Sequence, residues 1–435
     1  MKPSIVNIKD FGAIGNRIAN DAPAIQAAID HLAAQGGGTV LVPPGEYLCG
    51  PIRLKSHITL HLTAGATLYA SRRREDYDAQ SKGVFLAADD AENVTVEGAG
   101  ALHGQAPEEL LRGAKQRPDF RTRLVLFTNC RNVQVRNIRM LYSDSWTLHL
   151  KRCSDVVIDG ITIFNNIDRI NSDGIDPDSC RNVRISNCHI VAGDDCIVLK
   201  CTTAHPCENV VVTNCTLESG ATAIKLGTES HAAFRDVHYS NCTIDRSSGG
   251  IGLFVKDGAC MERLTFSNIS ITDRENESVA SGAAPIFMDI ERRHADSPLG
   301  HIRDVVLNGI QIHSRFPSLI QGTPESHIEN LTIRDLSHRV EQWQDFSQRK
   351  KRGGGVRTTS DERDTLFARQ PAYLTLAYVN DLTLDNVRID ITPEVYAREP
   401  RAAVSLHHTR NICLHRVRRI PDTSEELMPA VRGDC

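Results

Sequence analysis

One phrase returns along this chain at a fixed interval, and that interval limits what the chain can fold into. It reads RNVQVRNIRM at 131–140, SDVVIDGITI at 154–163, RNVRISNCHI at 181–190 and ENVVVTNCTL at 208–217. It continues as RDVHYSNCTI at 235–244, ERLTFSNISI at 262–271, RDVVLNGIQI at 303–312 and NDLTLDNVRI at 380–389. From Asp155 through Asn182, Asn209 and Asp236 to Arg263, every step is 27 residues. A repeat of this kind leaves an apolar face on each unit that only the next unit can bury.

Within each phrase, apolar and polar residues alternate on both sides of an Asn, Asp or Gly, which predicts two short strands meeting at a sharp corner. Asn tolerates left-handed backbone and hydrogen-bonds its own turn, so it suits a corner that must recur in register. A third short strand and loops of variable length lie between phrases. Three strands and some 27 residues per turn describe an all-β, single-stranded parallel β-helix, with coils about 4.8 Å apart. Asn187, Asn214, Asn241 and Asn268 then form a ladder, and so do Cys188, Cys215 and Cys242. A leucine-rich solenoid is the competing architecture, but the phrases lack its spaced leucines.

Several of the thirteen cysteines follow the same period. Their number is odd, and Cys180 and Cys207 also stand one repeat apart, so they occupy equivalent positions and do not form a cross-linked frame. Cys201 and Cys207 are near enough to raise metal ligation, but no CxxC pair exists. Reduced, buried thiols are expected, with no metal and no cofactor.

The ends depart from the repeat. DAPAIQAAIDHLAAQGGG (21–38) predicts an N-terminal capping helix with Ile25, Ile29 and Leu32 on one face and a glycine stop. The polar stretch 342–364 predicts a solvated loop insertion, at about 340–370, in what reads as a single β-helix domain over 1–435. A net charge of −4 provides no strong field for nucleic acid or an anionic membrane. No run approaches the roughly 18 apolar residues that span a bilayer. The opening MKPSIVNIKDFGAIGN lacks the apolar core of a secretory signal, so a cytoplasmic location is expected. The oligomeric state is open.

Stacking the third strand of each coil brings the chemistry together. The segments are WTLHLK (146–151), DGIDPD (173–178), DCIVLK (195–200), TAIKLG (222–227) and IGLFVK (251–256). Leu148, Ile175, Ile197, Ile224 and Leu253 form the inward column, and the flanking positions face outward. Asp173 and Asp195 lead successive strands, with Asp194 on the turn before. Trp146 leads its own strand. His149, Asp176 and Lys225 share the next outward column, and Lys151, Lys200 and Lys256 the one after; Glu229 follows in KLGTES.

Three carboxylates at this spacing repel one another, which favours one of them keeping a proton. A proton donor beside a carboxylate that polarises water is what glycosidic hydrolysis needs. The competing reading makes these Asp side chains turn caps. Lys225 and Lys256 either pair with a uronate carboxylate or are solvated surface lysines. His149 either contacts sugar hydroxyls or the acid, or is plain polar surface. Trp146 either stacks on a sugar or packs under a loop.

NSDGIDPDS (171–179) and AGDDCIVLK (192–200) resemble the N-T-D and G-D-D motifs of glycoside hydrolase family 28. These are the polygalacturonases and rhamnogalacturonan hydrolases, which are right-handed, pectin-lyase-like parallel β-helices. The opening FGAIGNRIANDAPAIQAAID, the following GGGTVLVPPGEYLCGPIRLKSHITLHLTAGATL, WTLHLKRCSDV and AIKLGTES extend the similarity over most of the chain. The resemblance implies that Asp194 is the general acid and that Asp173 and Asp195 hold the water that attacks with inversion. Thr222 stands where the family's G-H-G His would be. Phe254-Val255-Lys256 best matches its R-I-K, with the Arg lost, and Ser172 replaces Thr. These departures point to an exo-acting or rhamnogalacturonan-type specificity, and the expected cytoplasmic location to short uronate- or rhamnose-containing oligosaccharides as substrate.

Two further readings stand beside this one. A uronate lyase or epimerase would hold Ca²⁺ in the acidic cluster and use Lys225 or Lys256 as base. A non-catalytic carbohydrate-binding β-helix would show a wall of exposed aromatics in place of the carboxylates. The loops around 72–92, 105–123 and 272–300 are expected to set groove length.

Overall fold

A computed structural model of the chain describes residues 4–78, 81, 83–107, 120–274, 284–345, 366–420 and 431–434. The chain is an all-β parallel β-helix, with two compact units: Met1–Val198 with Val210–Cys215, and Leu199–Asn209 with Thr216–Cys435.

In the first unit a coil is three short strands, such as Ser154–Asp159, Thr162–Phe164 and Ile175–Asp178. The first of these pairs in parallel with Arg181–Ser186, setting Val156 opposite Val183 and Ile158 opposite Ile185. All four side chains are buried. Each like-on-like rung removes the apolar face that one coil alone would expose, worth roughly 1.5–3 kcal/mol per buried Val or Ile.

The corners are as the asparagines predict. Asp155, Asn182, Asn187 and Asn214 all have left-handed backbone, with φ between 56° and 57°. Their side chains link coil to coil: Asn182 Nδ2 donates to Asp155 Oδ1 at 2.9 Å, and Asn214 Nδ2 to Asn187 Oδ1 at 3.4 Å. The described cysteines are free thiols, most of them buried. Cys188 and Cys215 each donate Sγ–H to the carbonyl two residues earlier, at 3.1 and 3.3 Å.

The expected capping helix forms over Ala22–Ala34, shorter than the 21–38 pattern, and buries Ile25, Ile29 and Leu32. It stops where Gly36 turns left-handed, with the Gly36 and Gly37 amides returning to Ala33 O and Leu32 O. A Cβ on Gly38 would stand 2.4 Å from Ser4 O, so the third glycine is required by close backbone approach.

In the second unit the two strands of each phrase merge. Phe234–Ser247 and Cys260–Asp273 are continuous 14-residue strands paired along their length. The corner persists within them, since Asn241 and Asn268 keep φ of 53° and 52° and are joined at 3.2 Å. Tyr239 stacks on Phe266 with ring centroids 5.6 Å apart. Register corrects one alignment: Ile251, not Leu253, lies opposite Ile224, and Leu253 lies opposite Leu226. Lys256 therefore does not continue the column of Lys151 and Lys200. Most of the expected insertion, at 346–365, lies outside the described residues, as do 108–119 and 275–283 of the groove loops.

Candidate active site

The third strands of the first unit carry the acidic cluster. Val125, Leu148 and Ile175 are register partners across three coils. The residues two places earlier, Arg123, Trp146 and Asp173, therefore head successive strands. Gly174 N donates to Asp195 O and Ile175 N to Cys196 O, which carries the same alignment on to Asp195. One carboxylate oxygen each from Asp173, Asp194 and Asp195 lies within 4.8 Å of the others. Asp173 and Asp195 are 3% and 1% exposed, while Asp194, on the turn, is partly open. The three residues singled out from the sequence are thus brought together, in a grouping that would also accept a divalent cation.

Two turns hold the cluster, and they are bonded to each other. Ser172 Oγ donates to Arg169 O at 2.9 Å and accepts the Gly193 amide at 3.1 Å. Asn171 N donates to Asp194 Oδ2 at 3.0 Å. A Cβ on Gly193 would fall 2.3 Å from Arg169 O, and one on Gly174 2.4 Å from Cys196 O, so both motif glycines are fixed by close backbone approach. Asn165 adds Nδ2 bonds to Thr147 Oγ1 and Ser172 O at 2.9 and 3.1 Å.

Below these turns lies an ionic support that the sequence patterns did not reveal. Arg169 is fully buried, is ion-paired with Asp144 and donates to Pro107 O at 2.8 Å. Arg121 donates to Asn171 Oδ1 at 3.1 Å and Ile170 O at 2.6 Å, and its Nε also reaches Asp144. The loop that delivers Asp173 is therefore held by two guanidinium groups.

The expected sugar contacts on this face divide differently. His149 is 3% exposed and occupied on both ring nitrogens, so it is a buried support and not an open groove residue. Arg123 Nη1, which can only donate, lies 3.0 Å from Nδ1, so Nδ1 accepts and Nε2–H donates to Asp178 Oδ2 at 3.2 Å. Burial, with help from Arg123, lowers the His149 pKa to about 4 against the opposing pull of Asp178. Asp176, opposite His149 in register, is also fully buried and does not face open solvent. Trp146 is partly exposed, with one face under the Arg123 guanidinium at 4.8 Å and His149 edge-on to it.

The remaining candidates belong to the second unit. Lys200 is 4% exposed and bonds Glu229 at 3.3 Å, so it is a buried ion-pair partner and not an open groove cation. Burial alone would raise the Glu229 pKa, but the charges of Lys200 and Lys225 outweigh it and hold it below the usual carboxylate value. Lys225 is partly exposed, with its amino group 5.2 Å over the Phe254 ring. Lys256 is buried and ion-paired with Glu291, which removes it from the open cations expected from its sequence position.

Comparisons with known proteins identify the family and the fold. The family model for glycosyl hydrolases family 28 matches residues 34–316. The chain belongs to that family. A probable polygalacturonase of Vitis vinifera is 32% identical over 219 residues, which are 45% of this chain and 44% of the relative, so the match spans under half of that protein. Among solved structures, a hyperthermoactive exopolygalacturonase from Thermotoga maritima superposes with a TM-score of 0.68 at 24% identity, over 78% of this chain and 87% of the other. A family 28 exopolygalacturonase from Yersinia enterocolitica gives 0.62 at 18%, over 99% and 78%.

Within family 28 the two departures, Thr222 and Phe254, turn out to be neighbours. A Cβ on Gly252 would lie 2.6 Å from Phe254 Cε2 and 3.0 Å from Thr222 Cγ2. Gly252 thus admits both side chains, and it stands opposite Lys225 in register. Phe254 in turn packs on Ala284, Phe287, Leu319 and Phe367. An apolar, cation-capped surface occupies the positions where the resemblance puts a His and an Arg.

Proposed function

We propose that this family 28 protein is an inverting glycoside hydrolase that acts on uronate- or rhamnose-containing oligosaccharides, with exo action on short fragments. The observation that carries this reading is the convergence of Asp173, Asp194 and Asp195 within 4.8 Å. Three ionised carboxylates this close repel one another, so a proton held within the cluster lowers its energy. Asp194 is the most open of the three and delivers that proton to the leaving glycosidic oxygen.

The spacing is shorter than the 6.5–9.5 Å or so usual for an inverting acid and base that face each other across the sugar. Inversion here relies on a different arrangement. Two oxygens less than 5 Å apart can both accept from one water at ordinary hydrogen-bond lengths. Asp173 and Asp195 hold the water in this way, and Asp194 protonates the departing group. Proton NMR of the first product anomer tests this directly: the inverted anomer is expected, and the retained one would point to a covalent glycosyl intermediate.

The same three oxygens would suit Ca²⁺, which keeps a uronate lyase as the second reading. That enzyme would give an unsaturated uronate and stop when the cation is chelated. A non-catalytic binder would use exposed aromatics, and Tyr69, His103, Tyr142 and Phe164 pack ring against ring, so the contacting faces are covered.

A further inference from the structure

Two coils before Asp173 the same column holds an arginine, at roughly 10 Å if each coil advances about 4.8 Å. Arg123 heads its strand as Trp146 and Asp173 head theirs. It is partly open to solvent, its guanidinium carbon lies over the Trp146 ring at 4.8 Å, and among the described residues its side chain makes one hydrogen bond, to His149 Nδ1 at 3.0 Å. Among the described residues no carboxylate comes within ion-pairing distance of it. Elsewhere in the protein such groups are matched: Arg169 pairs with Asp144, Arg293 with Asp257, Lys200 with Glu229 and Lys256 with Glu291.

A half-buried guanidinium without an ion-pair partner is costly unless something completes it. Burial lowers the Arg123 pKa, and only the more distant charges of Asp176, Asp173 and Asp178 offset this. The indole beneath it and the histidine beside it fix its plane, so its remaining N–H groups form a prearranged fork of the kind that takes a carboxylate in two parallel bonds. Of the lysines that the sequence offered for this task, Lys225 and Lys256, the second is already committed to Glu291, and Lys225 lies over the Phe254 ring.

We propose that Arg123, stacked on Trp146, is the specificity residue that receives the carboxylate of a uronic acid unit bound next to the cleavage position. This deepens the hydrolase reading and rests on it for the position of the cleaved bond. It selects uronate over neutral sugar at that subsite. The ring of the same sugar lies along the exposed part of Trp146, and its carboxylate turns to the guanidinium, away from Asp173.

Binding measured without turnover tests the proposal separately from the hydrolase reading. In an Asp194→Asn background, calorimetric titration with trigalacturonate and with its fully methyl-esterified form is compared with the same background carrying Arg123→Gln or Arg123→Lys. Loss of a charged, two-bond contact is expected to weaken trigalacturonate binding by roughly 10- to 100-fold for Gln and less for Lys. Affinity for the ester should change by under about threefold. Arg123→Lys keeps a donor for His149, so it also serves as the folded control, checked by circular dichroism. Equal weakening for both ligands, unchanged affinity, or no binding of trigalacturonate in the Asp194→Asn background would each overturn the assignment. Arg123-dependent binding by a wild-type protein that cleaves nothing would defeat the hydrolase reading and leave this one standing.

Discussion

The hydroxyl of Ser172 accepts the amide of Gly193 at 3.1 Å and thereby ties the turn that carries Asp173 to the turn that carries Asp194 and Asp195. The hydroxyl also donates to Arg169 O, so each turn is fixed by the other. Ser172→Ala is expected to cost roughly 1–2 kcal/mol of stability and to lower kcat more than it raises KM. Ser172→Thr keeps the hydroxyl and should stay within about threefold of the parent. Steady-state kinetics and thermal melts on the two variants check this; equal losses would contradict it.

Arg169 is the largest fully buried side chain among the described residues, and its charge is matched by Asp144. Arg169→Ala leaves that carboxylate buried with less compensation, and a loss of about 3–5 kcal/mol is expected. Arg169→Leu with Asp144→Leu should recover little of the loss, because Arg121 also pairs with Asp144 and then loses its carboxylate. Denaturation midpoints of the single and double variants give the comparison.

His149 and His338 are both buried, and burial pushes each pKa down to about 4. The unfolded chain binds these protons near pH 6.5 and the folded chain only near 4. Their contribution to stability is therefore complete above about 6.5 and is lost as pH falls from 6.5 toward 4. The loss is at most roughly 3 kcal/mol for each. Melting temperature should drop across that window, and His338→Gln should flatten the slope. A melting temperature independent of pH there would refute the assignment.

Asn268 sits at a corner with φ of 52° and bonds Asn241 at 3.2 Å. Asn268→Ala loses both the ladder bond and the easy left-handed backbone, and should destabilise by about 1–2 kcal/mol. Asn268→Gly retains the backbone freedom and should cost less. Urea midpoints for the pair separate the two contributions.

The corners, the aliphatic rungs and the three aspartates were legible because each recurs in register, and a repeated coil turns sequence period into spatial contact. The strand Gly249–Val255 was not placed correctly. Its Ile251, Leu253 and Val255 all point inward, so a two-residue slip keeps every side chain on its face and alternation cannot detect it. Burial of His149, Lys200 and Lys256 depends on partners from other coils and on the covering chain, which no local pattern encodes. Arg123 was missed because its strand precedes the first repeat phrase, at 131–140, and so fell outside the stacked set. Phe254 could be matched to the family's missing Arg, but its proximity to Thr222 across Gly252 is visible only in three dimensions.

The central claim is that the three carboxylates hydrolyse a glycosidic bond without a metal. Oligogalacturonides and rhamnogalacturonan oligomers, incubated with the protein and excess chelator, are followed for new reducing ends and for unsaturated-uronate absorbance. Reducing ends without absorbance are expected, with a fall in rate of about 10²- to 10⁴-fold in Asp194→Asn. Absorbance that rises with cleavage and vanishes on chelation would contradict it and make the acidic cluster the cation site of a lyase.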